Sequence, residues 1–324
     1  MTITTAAPRP DDAPAAPPSR PRRKGRRRPG PLLASWPAPR VLVAALALLG
    51  VAALLYPDAA SWVAARAQAR QVDAYVHAIE SLSPDQARAE LRRADRYNAT
   101  LPGGPLRDPY AGGAEGEQTA LGSDSRRYFR TLDLGPEGMM GVLSFPAIDA
   151  ELPIFHGTDP DTLDRGLGHL YGSAVPIGGA GTHSVLTGHS GLLHATLFTH
   201  LDQAEKGDRF TITVLDQVLT YEVDQIRVVL PSETGDIVAV PGEDLVTLVT
   251  CTPTGVNTHR LLVRGHRVPT PEAAAGTSVI SGGRPGSFPW WLVAAGIAAV
   301  ATVVGTGPLA RRRRPRRRAI RSAR

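Results

Sequence analysis

Apolar and polar positions switch character sharply along the chain, and the switches mark its organisation. Residues 1–40 are rich in Pro, Ala and Arg, contain the basic run Arg20 to Arg28, and have almost no aliphatic pattern. Such a segment cannot bury enough apolar surface to offset the entropy of ordering, so it is expected to be disordered. Val41 to Tyr56 is an uninterrupted apolar run, VLVAALALLGVAALLY, extended weakly past Pro57 by Ala59, Ala60, Trp62 and Val63. As a helix this run covers about 24 Å, just under a bilayer core unless its flanks take part. It reads either as a retained membrane anchor over 41–63 or as the core of a cleaved signal, since small residues such as Ala67 and Ala69 follow. Its length favours the anchor.

A second apolar segment, residues 288–310, opens on Trp290 and Trp291 and is followed by Arg311–Arg314 and Arg316–Arg318. Interfacial aromatics at one end and a cationic cluster at the other mark a transmembrane helix. Both basic tails then lie on one side, so the positive-inside rule puts both termini in the cytoplasm and residues 64–287 outside. Within that outer part, residues 64–98 form a helical segment with a restart at Ser83-Pro84-Asp85, where Ser can cap and Pro suits the first helical position. Residues 99–125 are Gly- and Pro-rich without a period, the mark of a long loop of the kind that forms lids. Residues 139–268 show short β-branched runs broken by turn residues: Phe210–Leu215, Leu219–Leu230, Leu245–Thr250 and Arg260–Val268. Brief helical patches are expected near Asp161–Leu167 and Ala195–Leu201. This pattern predicts a mostly antiparallel barrel or sandwich. Residues 269–287 read as a flexible linker to the second apolar segment.

Charge reinforces the topology. The formal net charge is +6, from 36 Lys and Arg against 30 Asp and Glu. Residues 1–40 hold nine basic and two acidic side chains, and residues 308–324 hold nine basic and none acidic. The middle, residues 41–307, therefore carries a net charge of −10. The overall basicity reports membrane orientation, and it excludes nucleic acid as a partner.

The chain has a single cysteine, Cys251. That excludes an internal disulfide framework and any cysteine-based zinc site. A lone thiol is either an inert buried residue or a nucleophile. Cys251 ends the predicted strand TLVTC, and a Thr252-Pro253-Thr254-Gly255 turn leads into a second strand that brings Arg260 back beside it. A cation there favours the thiolate and can bind an oxyanion. A cysteine nucleophile also needs an acid/base partner. Of nine histidines, His183 and His189 stand out in THSVLTGHSG, where His189 follows a strand and has Gly188 before it and Gly191 just after.

These residues carry a family resemblance. Met140 to Val268 resembles the sortases, most closely the class C, pilin-polymerising branch: the TLVTC strand, an arginine nine residues after the cysteine, and an upstream TGH segment occur in order. The resemblance implies an eight-stranded β-barrel with short helices over residues 126–268, flanked by two transmembrane helices. It further implies Cys251 as nucleophile, His189 as general acid/base and Arg260 as stabiliser of the oxyanion and substrate. Thr250 and His183, within the same two motifs, are candidate substrate contacts. LLYPDAASW at 54–62 is similar to the class C membrane-proximal segment, and Asp108-Pro109-Tyr110 to its lid motif, in which Asp108 would pair with Arg260 and Tyr110 would cover Cys251.

The activity so implied is that of a membrane-anchored cysteine transpeptidase. It would cleave an LPXTG-type sorting signal between Thr and Gly and pass the acyl group to a pilin lysine. The alternatives are a sortase that attaches surface proteins to peptidoglycan and a non-catalytic, membrane-tethered binding barrel. Implied partners are LPXTG-bearing pilins or surface proteins, an amine acceptor and the membrane. No cofactor and no metal are expected.

Overall fold

The computed structural model describes residues 38–101, 106, 110, 123–135, 138–233, 237–271 and 288–306. Helix α1 spans Ala38–Glu80, 43 residues, and continues through Pro57. Proline removes one backbone donor, and the Ala- and Leu-rich flanks are strong enough helix formers to carry the helix past it. The anchor expected over 41–63 and the start of the outer helical segment are thus one continuous helix. Among the described residues, α1 is the helix long and apolar enough to cross a membrane by length and composition, and 6% of its most apolar window is buried.

Helix α2 spans Pro84–Asn98. It starts where Ser-Pro-Asp predicts: Ser83 is the N-cap, its Oγ accepts from the Gln86 N–H at 3.3 Å, and Gln86 Oε1 accepts from the Ser83 N–H at 2.8 Å. This reciprocal pair satisfies two donors that a helix start otherwise leaves open. Helix α3, Ser123–Phe129, crosses the expected boundary between the long loop and the barrel domain. Helix α4 is Pro160–Arg165, capped by Asp159, close to the expected patch. The patch expected at Ala195–Leu201 is instead a series of turns leading into a 3₁₀ turn at Leu201–Gln203. Leu197 has φ 37°, a left-handed value that interrupts a right-handed helix. Helix α5, Trp290–Thr306, is 17 residues of apolar sequence, at the lower end of what spans a bilayer.

Eight strands close into a barrel: β1 Met139–Phe145, β2 Ala150–His156, β3 Leu167–His169, β4 Thr182–Thr187, β5 Arg209–Val214, β6 Gln217–Val229, β7 Asp244–Thr252 and β8 His259–Val268. Their order around the barrel is β1-β2-β3-β4-β7-β8-β6-β5. Six neighbour pairs are antiparallel, while β2/β3 and β4/β7 are parallel. The interior is filled by residues such as Phe145, Ile154, Leu186, Phe198, Phe210, Leu248 and Val263. A second cluster docks α1 on the outside: Val72 and Tyr75 pack on Met139, Val142 and Phe155. The Tyr75 hydroxyl donates to Met140 O at 3.1 Å and accepts from the Leu215 N–H at 3.0 Å, tying α1 to two chain segments.

The barrel and its docked helices belong to a unit of residues 48–300. The described residues of a second unit, 38–47 and 301–306, belong to α1 and α5.

Candidate active site

The parallel β4/β7 pair decides which residues share a rim. Thr187, the last residue of β4, is in register with Val249. Beyond it, the Gly188 N–H donates to Val249 O at 3.0 Å and the Ser190 hydroxyl donates to Cys251 O at 2.7 Å. His189 lies between these two anchors, so it emerges beside Thr250 and Cys251. Its own carbonyl accepts from the Phe198 N–H at 3.0 Å, which fixes the backbone after the strand. Gly188 is required by packing: a Cβ there would meet Leu167 at 2.7 Å and the Phe198 ring at 2.8 Å.

Cys251 is the next-to-last residue of β7 and 9% exposed. In the antiparallel register Cys251 faces Arg260 directly. Directly opposed side chains in such a pair lie about 4.5–5.5 Å apart at Cβ. The Arg260 guanidinium is steered by the hairpin, donating through Nη1 to Asn257 O at 3.2 Å and to His259 O at 3.3 Å. Proline at 253 cannot donate to a ladder, and the strand stops one residue before it. Gly255 and Asn257 take the positive φ values the turn needs, 80° and 60°.

Tyr110 covers this group. Its ring lies 4.9 Å from the Arg260 guanidinium carbon and 5.7 Å, centroid to centroid, from the His189 ring. Its hydroxyl donates to Gly188 O at 2.6 Å. The same oxygen accepts from the buried Thr250 hydroxyl at 2.6 Å. A carbonyl has two lone pairs, and here both are used by side chains that bracket His189. Tyr110 and Leu106 also pack against a cluster of Leu170, Val185, Val229, Ile237, Val249 and Leu262. Asp108 lies outside the described residues.

Half-burial moves the His189 imidazole below its ordinary pKa of 6.5. The Asp164 carboxylate opposes that shift and His194 adds to it. At neutral pH the ring is therefore neutral and able to accept a proton. Cys251 lines a cavity of about 130 Å³ whose walls include Ser190, Phe198, Asp202, Thr250 and Leu261. Ser190, Phe198 and Asp202 were not marked by the sequence pattern: Ser190 is adjacent to a marked histidine, but Phe198 and Asp202 reach the rim through turns that have no period.

His183 is placed elsewhere, correcting its expected contact with substrate. It sits at the other end of β4, about 13 Å by strand rise from Thr187 at the rim end, and is buried. Its Nδ1 is 3.0 Å from Val238 O and its Nε2 is 2.7 Å from Thr247 Oγ1. Both ring nitrogens serve the barrel wall. Among the described residues, no group of three or more His, Cys, Asp or Glu side chains is arranged to hold a metal ion.

A closed eight-stranded barrel with a strand-end cysteine, an arginine in register with it and a histidine beside it defines a narrow structural class. Residues 143–268 match the sequence profile of the sortase domain. Sortase C-1 from Actinomyces oris is 46% identical, with a TM-score of 0.55, covering 58% of this chain and 100% of that one. A structure described as a pilus-related sortase C of Group B Streptococcus is 40% identical, with a TM-score of 0.55, covering 61% of this chain and 97% of that one. Sortase D of Bacillus subtilis is 34% identical over 131 residues, which are 40% of this chain and 63% of that protein. The chain belongs to the sortase family.

Proposed function

We propose that this protein is a membrane-anchored cysteine transpeptidase acting on LPXTG-type sorting signals. The observation that carries this reading is the register pairing of Cys251 with Arg260, with His189 on the adjoining strand end and one tyrosine ring against both. The Cys251 sulfur attacks the carbonyl carbon between Thr and Gly, and the oxyanion that forms is held by Arg260. His189 accepts the thiol proton and returns it to the departing glycine amine as the C–N bond breaks. This leaves an acyl thioester on Cys251. An acceptor amine then attacks the thioester, forming the new amide bond as the C–S bond breaks, and its surplus proton passes through His189 to the departing sulfur, restoring the thiol.

Kinship with a pilus-related streptococcal sortase supports a pilin lysine as the acceptor, giving an isopeptide-linked polymer. Transfer to peptidoglycan uses the same first half-reaction and differs in the amine. The long apolar helix α1 supports anchoring in the membrane. A second crossing by α5, with both termini cytoplasmic and the barrel outside, accords with its apolar sequence and the basic tails.

The test incubates the full chain with an LPXTG peptide and candidate amines, with products read by mass spectrometry. An adduct on Cys251 that has lost the C-terminal glycine fragment, then passes to a lysine amine, is expected. Cys251→Ala should form neither species; amide product from that variant would sink the assignment. Product made only with a peptidoglycan stem amine would move the acceptor to the cell wall.

A further inference from the structure

Away from the Cys251 rim, a cavity of about 710 Å³ is lined by Arg93, Arg96, Arg126, Arg127, Arg130 and Asp133. The motif Arg-Arg-x-x-Arg occurs twice, at 92–96 and 126–130, once on α2 and once across the end of α3. Residues three or four apart share a helix face, so each copy presents its guanidiniums together. The two copies are fixed against each other. Arg93 Nη1 donates to Arg130 O at 3.3 Å, and Arg127 Nη2 donates to Arg96 O at 3.3 Å. Beneath them the Tyr97 and Tyr128 rings pack at 5.9 Å, and both residues are buried in the barrel core.

The charge in this cavity is poorly compensated from within. Arg93 pairs with Glu90 at 2.7 Å. Among the described residues, Arg96, Arg126, Arg127 and Arg130 form no ion pair with a carboxylate. Five guanidiniums therefore face a single lining carboxylate, Asp133, on the part of the chain that is otherwise acidic. Like charges gathered this closely repel, and an anion seated among them removes the repulsion. Guanidinium forks match phosphate oxygens in pairs, which favours phosphate over smaller or less charged anions. The volume suits a ligand larger than one inorganic phosphate ion.

We propose that the α2/α3 arginine cavity is a binding site for phosphate-bearing anions, distinct from the acyl-transfer rim. The phosphate can be presented by a lipid headgroup or by a soluble phosphate chain, and the experiment separates the two. The full chain in neutral detergent is titrated with tripolyphosphate, and arginine reactivity toward phenylglyoxal is mapped residue by residue by mass spectrometry. Residue-level mapping keeps the basic tails, which also attract polyanions, out of the reading. A parallel arm repeats the mapping in proteoliposomes of phosphatidylcholine with and without phosphatidylglycerol.

Protection of the cavity arginines by tripolyphosphate supports the site with a soluble phosphate source. Protection only when phosphatidylglycerol is present supports it with the headgroup as source. The double variant Arg126→Gln, Arg130→Gln should bind tripolyphosphate about tenfold or more weakly, since each lost contact is a charge-assisted hydrogen bond. Among the described residues neither side chain makes a hydrogen bond within the protein, so folding is spared. The charge-matched control Arg88→Gln, Arg209→Gln should bind as the parent does. Absence of protection in both arms, or equal tripolyphosphate affinity for the cavity variant and the control, overturns the proposal.

Discussion

The His189 ring is half-buried, and its surroundings set how it titrates. Burial lowers its proton affinity while the Asp164 carboxylate raises it, so the sign of any change can be stated in advance. NMR titration should find His189 titrating below 6.5, and Asp164→Asn should move it lower still, because a stabilising negative charge is removed. A value above 6.5 in the parent would contradict the neutral-imidazole reading. Thr250 acts on the same residue from behind, through the hydrogen bond to Gly188 O. Thr250→Val keeps the shape but leaves that oxygen with one donor, and acyl transfer should slow by roughly tenfold with KM nearly unchanged. Thr250→Ser should restore most of the rate. At this scale the sequence is unequally informative. Cys251, His189 and Arg260 could be singled out because three separated motifs occur in order, and the fold brings them to one rim, whereas Phe198 and Asp202 reach the cavity through turns that leave no periodic trace. His183 misled because a histidine in a strand next to a catalytic motif looks the same whether its nitrogens face substrate or the barrel wall.

Tyr110 links the α2–α3 connection to the barrel through contacts that include its ring against Arg260 and His189 and its hydroxyl bond to Gly188 O. The cation–π contact and the hydroxyl bond together contribute on the order of 1.5–2 kcal/mol. Labelling of Cys251 by iodoacetamide should therefore quicken roughly tenfold in Tyr110→Ala and only a few-fold in Tyr110→Phe, which keeps the ring. Equal rates in all three proteins would show that the ring does not restrict access to the thiol. Among the elements themselves, β5 to β8 were legible within two residues, since each is a β-branched run bounded by turn residues. Strands β1 and β2 were not resolved individually, because nearly every position in them is buried and an unbroken apolar run has no period of two. The three residues of β3 are too few to show any period. Ser83-Pro84-Asp85 fixed the start of α2 because capping chemistry is local, and Pro57 gave no comparable guide because a strong apolar helix overrides one missing donor.

For the whole molecule, the buried histidines set the response to acid. His169 is fully buried, with Nδ1 at 2.9 Å from the Tyr128 hydroxyl and Nε2 at 2.8 Å from Ala174 O, and its pKa falls to about 3. Burial lowers His156 and His183 as well. In the unfolded chain these rings take up protons near pH 6.5, while the folded protein resists doing so. The contribution of these rings to stability is thus fully present above about pH 6.5 and falls as pH drops toward 3, by about 1.4 kcal/mol per pH unit for His169 alone. Thermal unfolding followed from pH 7.5 to pH 4.5 should show this decline, and His169→Gln should flatten it even if its midpoint at pH 7.5 is lower. An unchanged slope would remove His169 from the account.

The parallel join of β4 to β7 has a further consequence. It brings together residues 188–190 and 250–252, which are separated by some sixty positions of chain, so the rim rests on a non-local pairing of the kind that forms slowly. Neither strand can assemble the rim alone, and in the proposed mechanism the one thiol of the chain lacks its acid/base partner until both are in place. On the proposed mechanism, competence needs both strand ends and not the thiol alone. A copy in which β4 and β7 were unpaired would carry Cys251 without the His189 neighbour that mechanism assigns to it.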